Sequence, residues 1–277
     1  SFICRKKDIL LMSSQHGVTI EISKAHNILD IIFDNSVANV MFSYNSKIVD
    51  IEKKIYFNNA RHHIVGMPMR LIRMKSAQTI NRSTPSFVYI STNLYHMGFT
   101  EKAITDYEKA IFEKDIIIKV LSEIPHKVRY KTYPEDNRRY ADEDPVLKNI
   151  RIADNIELFS NKIDMRYLIS EHSVFITTGA TSTLGWVVMS GKPVVFINQE
   201  HNSPLTKDAQ ISISNGIFVF NNNDKNFHKK LKDFLSQSVD DIERLWQKKK
   251  SAREEMIQNY FSEYKGGAGG RAAKIIL

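Results

Sequence analysis

Val174-Phe-Ile-Thr-Thr-Gly-Ala-Thr-Ser-Thr-Leu-Gly-Trp-Val-Val-Met-Ser-Gly-Lys-Pro-Val-Val-Phe-Ile197 reads as a strand, a turn of small hydroxyl residues, a short helix, a glycine stop and a second strand. Both strands are apolar and β-branched, the composition of strands buried on both faces of a parallel sheet. The turn from Thr177 to Thr183 carries five hydroxyls, one glycine and no bulky group. Thr181 or Ser182 can cap the helix that follows. Free N–H groups at a helix start, beside hydroxyls and at the carboxyl end of a strand, form an anion site. The unit therefore suits a phosphate-bearing ligand, and a polar helix cap without a ligand is the competing reading. The spacing is neither a P-loop, since Lys192 falls after the helix, nor a dinucleotide fingerprint, since Gly179 is the only glycine in the turn. Gly191-Lys192-Pro193 closes the helix and opens the next strand, with Lys192 expected in solvent.

Working outward, Phe87–Ile90, Lys127–Thr132, Asn149–Ile152 and Ile217–Phe220 read as further strands, and 101–122, 162–170, 224–236 and 239–263 as helices. Ala103, Ile104, Tyr107 and Ile111 are expected to share the buried face of the first of these helices. Residues 135–148 read as a polar loop and 198–215 as another. Strands alternating with helices predict an α/β, Rossmann-like parallel sheet with helices on both faces over 85–265. Before it, 9–12, 40–42 and 62–68 read as strands and 24–35 and 46–56 as helices, part of a second Rossmann-like unit over 1–68. The basic, polar stretch 69–84, with Arg70, Arg73, Lys75 and Arg82, reads as a linker. Lys265-Gly-Gly-Ala-Gly-Gly270 reads as a hinge, and 266–277 as hinge and terminal helix, which could cross back to the first unit.

The chain has 277 residues, 42% hydrophobic and 25% charged, enough for one large domain or two modest ones. One cysteine, Cys4, excludes an internal disulfide framework and suits a reducing compartment. No apolar run is long enough to span a bilayer, and the opening Ser-Phe-Ile-Cys-Arg-Lys-Lys-Asp is not a signal peptide. It starts almost in mid-strand, as a piece of a longer chain would. A net charge of +8 favours phosphorylated ligands or an anionic membrane surface, while the lack of an Arg-Gly or aromatic-interleaved box argues against nucleic acid.

Candidate site residues follow from position. Arg129 and Lys131 lie on one face of their strand and are expected near its carboxyl end, where cations would pair with phosphate. Ser91 and Asn93 follow the first strand of the second unit and could reach phosphate or sugar. His16, next to Gly17 and after a strand, can act as a base near neutral pH. His62-His63 lacks the further ligands that a metal site needs. There is no Gly-x-Ser-x-Gly elbow, no convincing Ser/His/Asp order and no Asp-x-Asp.

In order, Gln15-His-Gly17, Phe87-Val-Tyr-Ile-Ser-Thr-Asn93, Val128-Arg-Tyr-Lys-Thr-Tyr-Pro134, Phe175-Ile-Thr-Thr-Gly-Ala-Thr-Ser-Thr183 and Gly191-Lys-Pro-Val-Val-Phe196 resemble the carboxyl-terminal part of GT-B-fold bacterial surface-polysaccharide glycosyltransferases. The relatives in view are capsule and lipopolysaccharide Kdo transferases and the CDP-glycerol glycerophosphotransferases of teichoic-acid synthesis. The resemblance implies two Rossmann-like domains facing each other across a cleft, and transfer of a sugar from a nucleotide-sugar donor to a surface glycan. It implies donor phosphate on Gly179, Thr181, Ser182 and Thr183, with Arg129 and Lys131 as the cationic segment and His16 as the acceptor base. A CMP- or CDP-linked donor, a glycan or lipid-linked acceptor, no cofactor, no metal, and a cytoplasmic place at the inner membrane face belong to the same expectation. Most of an amino-terminal domain of the family is missing. Leu184-Gly185-Trp186 also stands where many sugar-nucleotide enzymes carry an acidic residue, which puts ribose contacts of the UDP-sugar kind in doubt. A CDP-polyol phosphotransferase, a sugar-nucleotide epimerase and a non-catalytic binding module are the alternatives.

Overall fold

A computed structural model describes residues 2–24, 36–54, 60–68, 84–92, 105–133, 145–201 and 204–277. The helix read at 24–35, the basic linker, Asn93 and the acidic loop fall almost wholly outside these residues.

Two parallel sheets organise the chain. The first has strands β1 (Met12–Ser14), β2 (Val40–Ser43) and β3 (Arg61–Ile64), in that order, with α1 (Phe2–Lys6) before it and α2 (Ser46–Glu52) between β2 and β3. The second has six strands in the order β6-β5-β4-β7-β8-β9. These are β4 (Phe87–Ile90), β5 (Val128–Lys131), β6 (Ile156–Phe159), β7 (Val174–Thr177), β8 (Val194–Asn198) and β9 (Phe218–Asn221). Its first strand is central and the order reverses between β4 and β7, as in a doubly wound nucleotide-binding sheet. Ligands in such sheets bind outside the carboxyl ends of the two strands at the reversal.

The sequence accounts for this arrangement. Every residue of β4, β5, β7 and β8 is buried, because helices cover both faces. Helices α3 (Asp106–Lys119), α4 (Pro145–Ile152), α5 (Ser182–Met189), α6 (Lys207–Gly216), α7 (Phe227–Leu235), α8 (Val239–Lys248) and α9 (Lys250–Met256) cross between or flank the strands. A capping box at Thr105 and Glu108 starts α3, with the Glu108 carboxylate accepting from the Thr105 amide at 2.7 Å. Trp246 of α8 is fully buried; its Nε1 donates to Gly191 O at 2.7 Å, and the Arg253 guanidinium lies 3.8 Å from its ring centroid.

Some expected elements differ. Residues 149–152 end a helix rather than forming a strand: Pro145 opens α4, and Val146 and Ile150, one turn apart, fill the core. The strand is β6, four residues further on. Residues 162–170 form two short 3₁₀ turns, Met165–Tyr167 and Ile169–Glu171. The stretch 198–215 holds α6, capped by Thr206 and burying Ala209, Ile213 and Gly216 at helical spacing. On α3 the buried stripe runs through Ala110, Ile116 and Ile117, leaving Tyr107 and Ile111 exposed.

The two sheets share a core. Val18, Ile22, Tyr44 and Met67 of the first part pack into the same apolar cluster as the six-stranded sheet. Ile22 O accepts from Thr206 N at 2.9 Å, and Pro204 O accepts from Lys24 N at 2.8 Å. After a π turn, Ile257–Phe261, the chain runs back to the first sheet. There α10 (Ala268–Ile276) lays Ala272 and Ile275 on Val40, Phe42 and Val65. The outgoing and returning passages touch: Met67 N donates to Ser262 Oγ at 2.9 Å and Arg271 Nε to Val65 O at 2.8 Å. Gly66 lies between them with φ of 81°, where a Cβ would sit 3.1 Å from Ser262 Oγ, so the close passage requires glycine. Among the described residues, no helix is long and apolar enough to cross a membrane.

Candidate active site

The β4–β7 reversal is where the hydroxyl turn lies. β7 ends at Thr177, the turn follows, and α5 starts at Ser182. Thr177 and Thr178 are buried, whereas Gly179, Thr181, Ser182 and Thr183 are half-buried. Across the reversal the β4 loop comes alongside: a Cβ on Gly179 would be 3.5 Å from the Thr92 methyl. Thr181 occupies the cap position of α5 with extended backbone, but its side chain makes no capping hydrogen bond; the capping role expected of it is not performed. The start of α5 thus carries hydroxyl side chains and the positive end of a helix dipole toward the crevice. Ser91 turns inward instead. It is buried, its Oγ donates to Thr92 O at 3.0 Å, and its N donates to Lys131 O at 3.0 Å.

The two expected cations part ways. Both flank the Phe159 ring, Arg129 at 4.9 Å and Lys131 at 5.8 Å from its centroid, so they do share a face. Arg129, however, lies in the amino-terminal half of β5, and its guanidinium is held by two carboxylates, Glu157 at 2.8 Å and Glu171 at 2.9 Å. It ties β5 to β6 and to the turn that enters β7, which corrects the expectation of a cation at the carboxyl end. Lys131 does end the strand, two strand spacings, or about 10 Å, from β7. Its Nζ donates to Thr132 O at 2.6 Å, and burial brings its pKa down to about 8 against the opposing pull of Asp164. Lys192 likewise departs from expectation. Instead of standing in solvent it donates to Ile169 O, Ser170 O and His172 O at 2.7, 3.2 and 2.6 Å, pinning the turn before β7.

A further charged pair comes into place here, its carboxylate within the field of Lys131. Asp164 accepts from the Arg166 amide and guanidinium, each at 2.9 Å. Burial alone would raise its carboxyl, but the Arg166 hydrogen bonds and the charges of Arg166 and Lys131 outweigh it and hold it below the usual range. Arg166 stacks over Trp186 of α5, 5.1 Å from the ring centroid. Sequence reasoning missed this pair because residues 162–170 read as one helix. Asp164-Met-Arg166, an acidic cap followed by a cation, was the available signal.

His16 is exposed, at the apex of a turn that leaves the carboxyl end of β1. The turn meets α5: a Cβ on Gly17 would lie 2.7 Å from Ser182 Cβ, and Val18 packs on Gly185. Gly17, the neighbour of His16, and the hydroxyl helix start therefore come together, although 165 positions separate Gly17 from Ser182. Beneath the turn lies a buried polar node. Gln15 Nε2 donates to Gly17 O at 2.9 Å and to Glu21 Oε1 at 2.6 Å, while Gln15 Oε1 accepts from Tyr44 N at 2.8 Å. Glu21 Oε1 also accepts from Asn45 Nδ2 at 3.0 Å, and Oε2 from Thr19 N at 3.1 Å. Full burial pushes the Glu21 carboxyl up to about 7 despite these donors. A groove of about 470 Å³ lined by Leu10, Met12, Arg61, His63 and Ile275 lies at the opposite, amino-terminal end of the first sheet and takes no part in this arrangement. Among the described residues no three His, Cys, Asp or Glu side chains are grouped as metal ligands.

This architecture, two Rossmann-like parallel sheets, is the GT-B fold. Solved structures of Arabidopsis thaliana UGT89C1 superpose over 99% of this chain and about two thirds of theirs. The complex with UDP-L-rhamnose has a TM-score of 0.56 at 11% identity over 68% of that chain, and the complex with quercetin 0.55 at 11% over 67%. The complex with UDP has 0.54 at 10% identity over 68%. No family model matches the chain, and no curated protein does.

Proposed function

We propose that this chain transfers a sugar from a nucleotide-sugar donor to a glycan hydroxyl of a bacterial surface polysaccharide. The observation that supports the reading is the seating of Gly17, next to His16, on Ser182: it brings the segment of a candidate base to a candidate phosphate cradle. The donor phosphates would lie at the start of α5, on the N–H groups and the hydroxyls of Thr181, Ser182 and Thr183, with Gly179 leaving room for them. Lys131 adds positive charge from the neighbouring rim. Ser91 and Arg129 act from behind, Ser91 by fixing the β4 loop and Arg129 by fixing β5. His16 takes the proton of the acceptor hydroxyl as that oxygen attacks the anomeric carbon. The bond to the departing phosphate breaks, and the charge it leaves grows where the helix end points, so stabilisation is greatest in the transition state. The resemblance to Kdo and CDP-glycerol transferases supports a CMP- or CDP-linked donor, the UGT89C1 complexes a UDP-linked one. The reading needs no metal ion, and a basic surface supports a peripheral place at an anionic membrane.

A melting-temperature panel with CMP, CDP, UDP and GDP tests donor binding, since a ligand selective for the folded form raises the transition. One nucleotide should stabilise the chain, and Ser182→Ala/Thr183→Ala should abolish the shift and slow transfer roughly 100-fold. Activity should survive chelation by EDTA. Full turnover by the double variant would sink the reading. A nucleotide sugar interconverted without any acceptor would point to an epimerase instead.

A further inference from the structure

Glu21 is a carboxylate 1% exposed, with no cation among the partners described for it. Burying such a group costs several kcal/mol unless its oxygens are satisfied. All three polar partners named above, Gln15, Asn45 and the Thr19 amide, are donors to it. The two amide side chains have no choice of orientation. Gln15 Oε1 must face the Tyr44 N–H and Gln15 Nε2 the Gly17 carbonyl. Asn45 Oδ1 must face the Ile48 N–H, at 2.9 Å, and Asn45 Nδ2 the Tyr260 carbonyl, at 3.1 Å. Each amide then has N–H capacity left only for Glu21. A glutamine at position 21 would turn an NH₂ on one of these donors, so the site requires an acid and its shape alone is insufficient.

The node binds three pieces of chain: the end of β1, the β2–α2 junction at Tyr44 and Asn45, and the returning segment at Tyr260. Gln15 closes a ring around His16, from its own backbone through its side chain to Gly17 O, and Glu21 holds Gln15 in place. Gly17 and Val18, on the far side of that ring, rest on Ser182 and Gly185. We propose that Glu21 is a positioning residue, whose carboxyl oxygens, through Gln15, Asn45 and the Thr19 amide, fix the His16 turn against the start of α5 without touching substrate. This rests on the transferase reading only for what the positioning serves; the positioning is measurable without a ligand.

The test compares the full chain with Glu21→Gln and Gln15→Met by NMR of the His16 ring and the Ser182 amide, each assigned through variants at that position. Both variants should keep the circular dichroism of the parent. Their His16 and Ser182 signals should shift or broaden, while signals from β8 and β9 stay. A folded Glu21→Gln whose His16 and Ser182 signals coincide with the parent's overturns the proposal. Should Glu21→Gln fail to fold, Gln15→Met carries the same expectation, because it leaves Asn45 and Thr19 on the carboxylate. With a donor that turns over, Glu21→Gln should lower kcat roughly tenfold or more at little-changed donor KM, the mark of a misplaced base. Unchanged kcat overturns the proposal as well. Absence of turnover and of binding to any of CMP, CDP, UDP and GDP in the parent chain counts against the transferase reading alone, and the NMR comparison still decides the role of Glu21.

Discussion

Lys131 and His172, at opposite strand ends of the six-stranded sheet, show how burial sets the charge of single residues. Lys131 loses its proton near pH 8. If its ammonium helps to hold donor phosphate, affinity for the nucleotide should weaken as pH rises through 8, and Lys131→Met should bind more weakly with a flat profile over that range; calorimetry from pH 6.5 to 9 reads both. His172 is buried, and its Nδ1 donates to Pro85 O at 2.8 Å. Burial first, then the charges of Arg129 and Lys192, bring its pKa from 6.5 to about 4, although the Pro85 bond opposes them. The folded chain therefore binds fewer protons here than the unfolded chain between pH 6.5 and 4, so this residue's contribution is whole above 6.5 and fades as pH falls toward 4. The loss is at most roughly 3 kcal/mol. His172→Asn, which keeps a donor for Pro85 O, should flatten that part of the stability curve, as followed by urea midpoints at each pH.

At the scale of elements, the contact between the His16 turn and α5 is the point most sensitive to side-chain size. Gly17→Ala would put a Cβ 2.7 Å from Ser182 Cβ. One of the two segments must move, so the variant should fold, lose about 1–3 kcal/mol and transfer at least tenfold more slowly; kinetics alongside thermal melts separate the two effects. The sequence shows the strand-turn-helix-strand unit at 174–197 plainly, because its strands are apolar throughout and its turn is small and polar. It shows Gln15-His16-Gly17 for a similar local reason. It hides α6, whose apolar spacing is diluted by Gln210, Ser212, Ser214 and Asn215, and it disguises α4, where Ile150 and Ile152 alternate as a strand would. The node at Glu21 and the partners of Arg129 were beyond reach for another reason. Glu21 meets Asn45 across 24 positions and Arg129 meets Glu171 across 42, so their roles come from tertiary folding, which local pattern does not record.

For the whole molecule, the return of the chain to its first sheet matters most. Arg271 anchors α10 by bonding Val65 O and Gly266 O and by stacking on Tyr264, 4.1 Å from the ring centroid. Arg271→Ala should cost about 1–3 kcal/mol and uncover Val40, Phe42 and Val65. Limited proteolysis should then cut near 263–267 well before the rest of the chain, and an unchanged digest would argue against this anchoring. The outgoing and returning passages lie side by side, Met67 N donating to Ser262 Oγ and Gly66 leaving room for Ser262. Sliding one sheet past the other would break the contacts at this seam, whereas swinging about it spares them and parts instead the Thr206–Ile22 and Lys24–Pro204 hydrogen bonds and the packing of Val18 and Ile22. We therefore expect the two sheets to part as an angle, the His16 turn lifting off Ser182, so that paired spin labels near the seam keep one separation while labels beyond His16 report several. On the proposed transferase reading, entry of an acceptor is then governed by leverage: a small rotation at Gly66 becomes a larger displacement at the far lip of the crevice.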